Sequence, residues 1–211
     1  MESLSAALAV FQKGGLVMYP LLLCSIIVMA IAIERFQAYR RADTDADALL
    51  AKLGPLLAQG DNNGALEVCR LADGVIPDVL AEGLKHPHLN SHGLENMLSG
   101  AASLAAANLR KRLGILDTIV TLAPLLGLLG TVVGMISSFS VMNIASGQPR
   151  AITGGVGEAL VATAAGLCVA VLALAVHSYF VYRLDAIVTD LERGCTFLLT
   201  AMNRSERHET A

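Results

Sequence analysis

The sequence predicts an all-α membrane protein with three transmembrane helices and long cytoplasmic helical extensions. Of its 211 residues, 55% are hydrophobic and only 16% are charged, a more apolar balance than that of an ordinary soluble domain. Residues 14–33, 118–142 and 151–182 form three apolar segments, each long enough to cross a hydrocarbon core that requires about 20 helical residues. None of them alternates polar and apolar residues as barrel strands do, so helices are predicted.

The distribution of basic residues predicts the orientation of these spans. Of the fifteen Lys and Arg residues, all except Lys13 and Arg150 fall on one side of the three spans, and such an excess marks the cytoplasmic side. The segments outside the spans are therefore predicted as a periplasmic N-terminus at residues 1–13, a cytoplasmic region at 34–117, a periplasmic loop at 143–150, and a cytoplasmic helix and tail at 183–211.

The cytoplasmic region has an unusual composition. No Phe, Tyr or Trp occurs between Arg40 and Ser138, and aromatic side chains usually supply much of a globular core, so helical extensions of the membrane bundle are expected rather than an independent core. Two short helices are predicted at residues 43–59 and 61–71, the second capped by Asp61. Apolar residues repeating from Leu94 predict one helix that continues unbroken into the second span.

The third span is also predicted to continue as a helix beyond residue 183, because apolar residues recur there at helical spacing. The tail from Asn203 is expected to be irregular. Long helices that project from a membrane bundle favour neighbouring subunits packed alongside, so the sequence predicts an oligomer.

Glu158 is the only formally charged residue between positions 151 and 182. A charge at the centre of a membrane helix costs roughly 2.5–3.5 kcal/mol on insertion scales, and such residues usually mark ion or proton pathways. Desolvation can raise the pKa of a carboxyl group to about 8–9, which allows proton uptake and release near neutral pH. The alternative is an interfacial acid in the first helical turn, where the helix dipole favours negative charge. Because no second carboxylate lies in the spans, a moving partner subunit is expected.

Small residues form a stripe along each of the last two spans, which lets membrane helices approach closely. The predicted helix-packing residues are Gly127, Gly130 and Gly134 in the second span, and Gly155, Ala159, Ala162 and Gly166 in the third. Thr131 and Thr163 lie in the same stripes and are predicted, with Glu158, to line a proton pathway. The alternatives are ordinary helix packing for the stripes and hydrogen bonds to the helix's own backbone for the threonines.

The remaining chemistry-bearing residues indicate no catalytic or metal site. His86, His88 and His92 are close in sequence, but no Cys or acid completes a zinc-ligand spacing, so a polar loop is expected. The cysteines are scattered without a CxxC motif and are expected to be reduced. No catalytic triad or phosphate-binding loop is present, so the sequence predicts neither an enzyme nor a cofactor. No basic and aromatic array points to nucleic acid.

Four stretches taken together resemble the MotA/TolQ/ExbB proton channel family. They are PLLLCS at residues 20–25 leading to Glu34-Arg35, the stretch from Gly60-Asp61 to Ala65-Leu66, LLGLLGTVVGM at 125–135, and EALVATAAG at 158–166. The last two stretches are specific for this family when they occur together. Three spans and a large cytoplasmic loop are most similar to the ExbB branch, whereas four-span flagellar stators fit poorly. A TolQ-like protein is the nearer alternative.

This resemblance implies a pentamer in the lipid of the bacterial inner membrane, with the second and third helices around a central pore. It implies a single-span ExbD-like subunit in that pore, a TonB-like energy transducer, and protons as the coupling ion. Glu158, Thr131 and Thr163 correspond to the family's polar pore residues. The implied function is the conversion of proton-motive force into mechanical work for TonB-dependent import across the outer membrane. The alternatives are TolQ-like envelope maintenance and a non-conducting membrane scaffold.

Overall fold

The computed structural model describes residues 14–144 and 149–209, and these residues form seven helices without a strand. The helices are α1 (Met18–Ala42), α2 (Ala46–Ala58), α3 (Asn62–Leu71), α4 (Val75–Leu84), α5 (Ser91–Arg110), α6 (Leu113–Ile144) and α7 (Pro149–Glu209). The prediction of an all-helical protein is confirmed.

Three helical stretches, containing α1, α6 and α7, are long and apolar enough to cross a membrane by length and composition. Each of these stretches overlaps one of the three predicted apolar segments, and the chain is a membrane protein. The predicted outer N-terminus at residues 1–13 lies outside the described residues, as do residues 145–148 of the predicted loop.

The first of two compact units comprises Met1–Ile33 and Arg112–Tyr179 and contains the apolar helical segments. Its interior consists of small and aliphatic side chains, among them Leu21, Leu116 and Ala123, each at most 1% exposed. Its outer surface is also aliphatic, since side chains such as Leu128 and Leu160 are more than half exposed. A surface of this kind suits contact with lipid or with other membrane helices.

The second compact unit comprises Glu34–Lys111 and Phe180–Ala211 and has a leucine core. The most buried members of this core include Leu53 and Leu80, which are fully inaccessible, and Leu198 of α7. A Cβ on Gly83 would lie 2.8 Å from Leu98 and 3.0 Å from Leu198, so three helices meet at this glycine. The expectation that this region has no core of its own is wrong. Leucines on short amphipathic helices and on α7 form the core in place of the missing aromatic side chains.

Local capping signals set the starts of the short helices. Asp61 accepts a hydrogen bond from the Gly64 N–H at 2.9 Å, which confirms the predicted cap of α3. Asp45 caps α2 in the same way through the Ala48 N–H at 3.0 Å. Such caps satisfy backbone donors that have no partner within the helix.

Helix α7 continues far beyond the predicted third span. It extends through Glu209, so the expectation of an irregular tail from Asn203 is wrong up to that residue. Leu184, Leu191 and Leu198 each have an exposure of 1%, as the apolar pattern predicts for a helix that buries one face.

The prediction of one unbroken helix from Leu94 into the second span is wrong. Helix α5 ends at Arg110, and Arg112 has a left-handed backbone with φ +68° before α6 begins. The physical reason lies in α1, which is distant in sequence. Arg35 Nη1 donates to the carbonyls of Asn108 at 3.5 Å and Leu109 at 3.2 Å, and the Tyr39 hydroxyl donates to Leu109 at 3.1 Å. These side chains satisfy carbonyl groups that a helix end leaves without partners.

The capping side chains are themselves buried and fixed. Arg35 is 8% exposed, and its Nη2 donates to Glu34 Oε1 at 2.7 Å. The Tyr39 ring stacks on Phe180 of α7 with a centroid separation of 5.3 Å. A cation at a helix C-terminus is favoured by the helix dipole, so Arg35 contributes both hydrogen bonds and charge to the end of α5.

The four cysteines are free thiols, as the sequence predicts. Cys69 and Cys195 both belong to the leucine core. Burial raises the pKa of each thiol to about 11, with the neighbouring Glu192 carboxylate adding to the effect at Cys195. Both therefore behave as small apolar side chains at neutral pH.

Removing the cap of α5 is expected to destabilise the protein in graded steps. Tyr39→Phe keeps the aromatic ring but deletes one hydrogen bond, at a cost of about 1 kcal/mol. Arg35→Met deletes the charged donor and is expected to cost about 1.5–3 kcal/mol. For a chain of this size, each kcal/mol corresponds to a decrease in Tm of roughly 2–4 °C. Thermal unfolding of the purified protein in detergent measures both effects.

The matched control is Arg41→Met, which removes an exposed arginine from the same helix and is expected to leave Tm unchanged. A Tm for Arg35→Met equal to that of the control would contradict the proposed cap.

Candidate functional site

The backbones of α6 and α7 touch at the predicted small residues. A Cβ on Gly127 would lie 3.0 Å from the Thr163 Cα, and a Cβ on Gly166 would lie 2.6 Å from the Ala123 carbonyl oxygen. Larger side chains at these two positions would have to displace backbone atoms of the facing helix. The close approach therefore depends on glycine.

The contact between α6 and α7, here called the small-residue seam, continues toward the C-terminus of α6. A Cβ on Gly134 would lie 3.0 Å from the Ala159 Cβ, and one on Gly130 would lie 2.5 Å from the Ala162 Cβ. Ser138 lies against Gly155, and its hydroxyl donates to the Gly134 carbonyl at 2.9 Å. The seven small residues predicted to pack all lie in this seam.

Thr163 joins the two helices by a hydrogen bond. Its hydroxyl donates to the Gly127 carbonyl of α6 at 2.9 Å, in a partly buried position. Such bonds between membrane helices contribute roughly 0.6 kcal/mol on average and up to about 1.7 kcal/mol. The structure thus gives Thr163 a bonding role in the seam.

Thr131 bonds within its own helix. Its hydroxyl donates to the Leu128 carbonyl at 2.6 Å, the type of backbone hydrogen bond that Ser and Thr commonly make in helices. Thr131 and Thr163 therefore each donate to a backbone carbonyl, and their place in a proton pathway stays a prediction.

Glu158 lies in the third turn of α7, nine residues after the helix begins at Pro149. Glu158 therefore does not lie in the first helical turn, where the dipole effect acts, and its depth in the membrane stays a prediction. The side chain is exposed in the single chain. One carboxylate oxygen lies against Gly15, in the turn that precedes α1.

The structure does not gather the three predicted pathway residues at one point. Glu158 contacts the turn before α1, Thr163 contacts α6, and Thr131 contacts its own helix. Gly15 is the residue near Glu158 that the sequence argument missed. The adjacent glycines at positions 14 and 15, directly before an apolar helix, were the available signal.

The histidine-rich segment follows α4 and enters α5. His86 Nε2 lies 3.9 Å from a Glu82 carboxylate oxygen, and His92 Nδ1 lies 3.9 Å from Glu95. Among the residues that the structure describes, no group of three or more His, Cys, Asp or Glu side chains is placed to hold a metal ion.

Sequence comparison places these features in a family. Residues 72–193, more than half of the chain, match the MotA/TolQ/ExbB proton channel family. The chain belongs to this family. The matched residues include the small-residue seam and Glu158, whereas Gly15 and Arg35 lie outside them.

Curated relatives agree with the MotA/TolQ/ExbB assignment. The putative biopolymer transport protein ExbB-like 1 of Synechocystis sp. is 37% identical over 176 residues, which cover 81% of this chain and 69% of the relative. The putative ExbB-like 3 protein of the same organism is 30% identical over 80% of this chain and 82% of its own length. The biopolymer transport protein exbB1 of Vibrio cholerae is 28% identical over 89% of this chain and 84% of its own length.

The α6–α7 packing is expected to be sensitive to a single methyl group. Gly166→Ala places its Cβ against the Ala123 carbonyl oxygen, and overpacking of this kind costs roughly 1–3 kcal/mol. We expect a lower Tm in detergent and a smaller fraction of assembled protein by size-exclusion chromatography.

Gly157→Ala is the matched control in the same helix, because a Cβ at that position meets no atom within 4 Å. Alanine has the higher helix propensity, so the control should be neutral or slightly stabilising. Equal Tm values for the two variants would show that α6 and α7 do not pack as closely as described.

Proposed function

We propose that this chain is the proton-conducting subunit of an ExbB–ExbD type motor in the bacterial inner membrane. In this proposal the motor converts proton-motive force into mechanical work for TonB-dependent import across the outer membrane. Support comes from membership of the MotA/TolQ/ExbB proton channel family and from relatives that are named biopolymer transport proteins. Protons are the proposed coupling ion, and the proposed role requires no other cofactor.

The position of Glu158 in an apolar segment is the single observation that best supports the proposal. It is the only formally charged residue between positions 151 and 182, and it lies on α7 well beyond the first helical turn. A carboxyl group in apolar surroundings can accept a proton and release it again, driven by about 2.3 kcal/mol per charge per 100 mV. In the proposed mechanism, Glu158 is the group that binds the transported proton.

The small-residue seam gives this carboxyl a rigid support. Backbone contacts and the Thr163–Gly127 hydrogen bond fix α7 against α6, so protonation of Glu158 alters charge without loosening the helix pair. Work then requires a second element that moves. We propose a single-span ExbD-like subunit with its own carboxylate as that element, and a TonB-like protein as the recipient of the motion.

We further propose that five copies surround the ExbD-like subunit, with α6 and α7 toward the pore and Thr131 and Thr163 along the path. The exposed aliphatic side chains of the first unit, such as Leu128, Leu160 and Val171, supply surface for lipid and for neighbouring copies. The proposed topology has the N-terminus in the periplasm and the C-terminus in the cytoplasm. Its basis is the concentration of basic residues in the two segments predicted to be cytoplasmic, 34–117 and 183–211.

The test is proton-motive-force-dependent uptake of a ferric siderophore by cells that carry Glu158→Gln in place of the natural chain. Glutamine keeps the size and hydrogen bonding of the side chain but cannot exchange a proton. We expect uptake to fall to the level of cells without the protein, while membrane abundance and assembly with the partner stay normal.

The control is Glu192→Gln, which neutralises an exposed glutamate farther along α7 and should support full uptake. Normal uptake with Glu158→Gln would contradict a proton-binding role and favour a membrane scaffold. If uptake does not depend on the protein at all while its loss weakens the cell envelope, the TolQ-like role replaces the import role.

A further inference from the structure

Gly15 and Glu158 are 143 positions apart in sequence, yet they are in contact. Gly15 lies in the turn before α1 and has a left-handed backbone with φ +68°. A Cβ built on it would collide with Glu158 Oε1, would lie 2.9 Å from the carboxyl carbon, and would lie 3.3 Å from Cγ. Oε1, the carboxyl carbon and Cγ of Glu158 therefore lie against this glycine.

Two independent features require glycine at position 15. The positive φ disfavours any side chain, because L-residues crowd their own backbone in the left-handed region. The contact with Glu158 leaves no space for a methyl group. The atoms in the way belong to the end of a flexible side chain, so an added methyl group would displace the carboxylate while sparing the helix backbones.

The apolar stretches beside Glu158 carry no charge. Residues 14–33 and 118–142 include no charged side chain, and their titratable groups are Tyr19 and Cys24. The charged residues of α1 and α6 lie outside these stretches, at Glu34, Arg35, Arg40, Arg41 and Asp117. Val17, two residues after Gly15, lies 3.6 Å from the position of a Cβ on Gly130. The turn is thus packed onto the seam beside the carboxyl group.

We propose that Gly15 is a positioning residue for Glu158. The turn before α1 covers one side of the carboxyl group and fixes where on the surface of α7 it takes up its proton. The turn before α1 thereby contributes to the proton site through its backbone, in addition to the side chains of α6 and α7. The effect on transport rests on the proposed function, whereas the contact itself can be tested without it.

The first measurement is the rate at which dicyclohexylcarbodiimide, which modifies protonated carboxyl groups in apolar surroundings, labels Glu158 in the assembled complex. Mass spectrometry of the α7 peptide quantifies the adduct. Gly15→Ala should raise the labelling rate several-fold, because the displaced carboxyl group loses its cover. Gly60→Ala places the same methyl group at another left-handed glycine, with φ +76°, and controls for backbone strain. Gly157→Ala controls for an added methyl group beside Glu158.

The second measurement is proton-driven uptake in a double-mutant cycle of Gly15→Ala and Glu158→Asp. Gly15→Ala alone should reduce uptake by about tenfold, well within the loss that a displacement of about 1 Å can cause. Aspartate is shorter and leaves room for the methyl group, so Gly15→Ala should cost little in a chain that already carries Glu158→Asp. If the two residues did not interact, the fold-losses in uptake of the two single variants would instead multiply in the double variant.

Unchanged labelling in Gly15→Ala overturns the proposed contact. A loss of uptake that is equal in Gly60→Ala assigns the effect to backbone strain and also overturns it. If Glu158→Gln transports normally, the proposed function fails, but the labelling comparison still decides whether Gly15 positions the carboxyl group.

Discussion

The approach of α6 and α7 to backbone contact is the constraint on which the rest of the first unit depends. Membrane helices gain little from hydrophobic association, since lipid is as apolar as leucine, and close packing has to supply the attraction. Gly127 and Gly166 allow that packing because each faces main-chain atoms of the other helix. The Thr163 hydroxyl then donates a hydrogen bond to the Gly127 carbonyl. This packing fixes the position of Glu158 along α7, next to the turn before α1.

A different kind of constraint organises the second unit. A buried arginine without compensation would be strongly destabilising, and the two terminal nitrogens of Arg35 are compensated by the carbonyls at the end of α5 and by Glu34. The Tyr39 hydroxyl donates to the Leu109 carbonyl, and the Tyr39 ring stacks on Phe180. Helices α1, α5 and α7 therefore meet at a polar centre, while the leucine core joins α7 to the short helices. The polar contacts define where α5 ends, and leucines make up most of the buried residues of the core.

Features encoded locally could be predicted from the sequence, and features created by distant contacts could not. The three apolar segments, the Asp61 cap and the small residues of the seam each follow from spacing within one element. The break after Arg110 depends on Arg35 and Tyr39, which lie about 70 residues away in sequence. The contact between Glu158 and Gly15 is likewise invisible to helical periodicity. Aromatic content is a poor guide to the core of the second unit, because leucines fill that core without aromatic side chains from α2 to α5.

The most direct test of the central claim is proton flux through the purified complex in liposomes. The chain and its co-assembled partner are reconstituted, a potassium diffusion potential is imposed with valinomycin, and an internal pH-sensitive dye reports proton entry. A proton-binding Glu158 predicts flux with the natural chain, reduced flux with Glu158→Asp, and the background rate of empty liposomes with Glu158→Gln. Flux through Glu158→Gln equal to that of the natural chain would contradict the account, because protons would then cross without the carboxyl group.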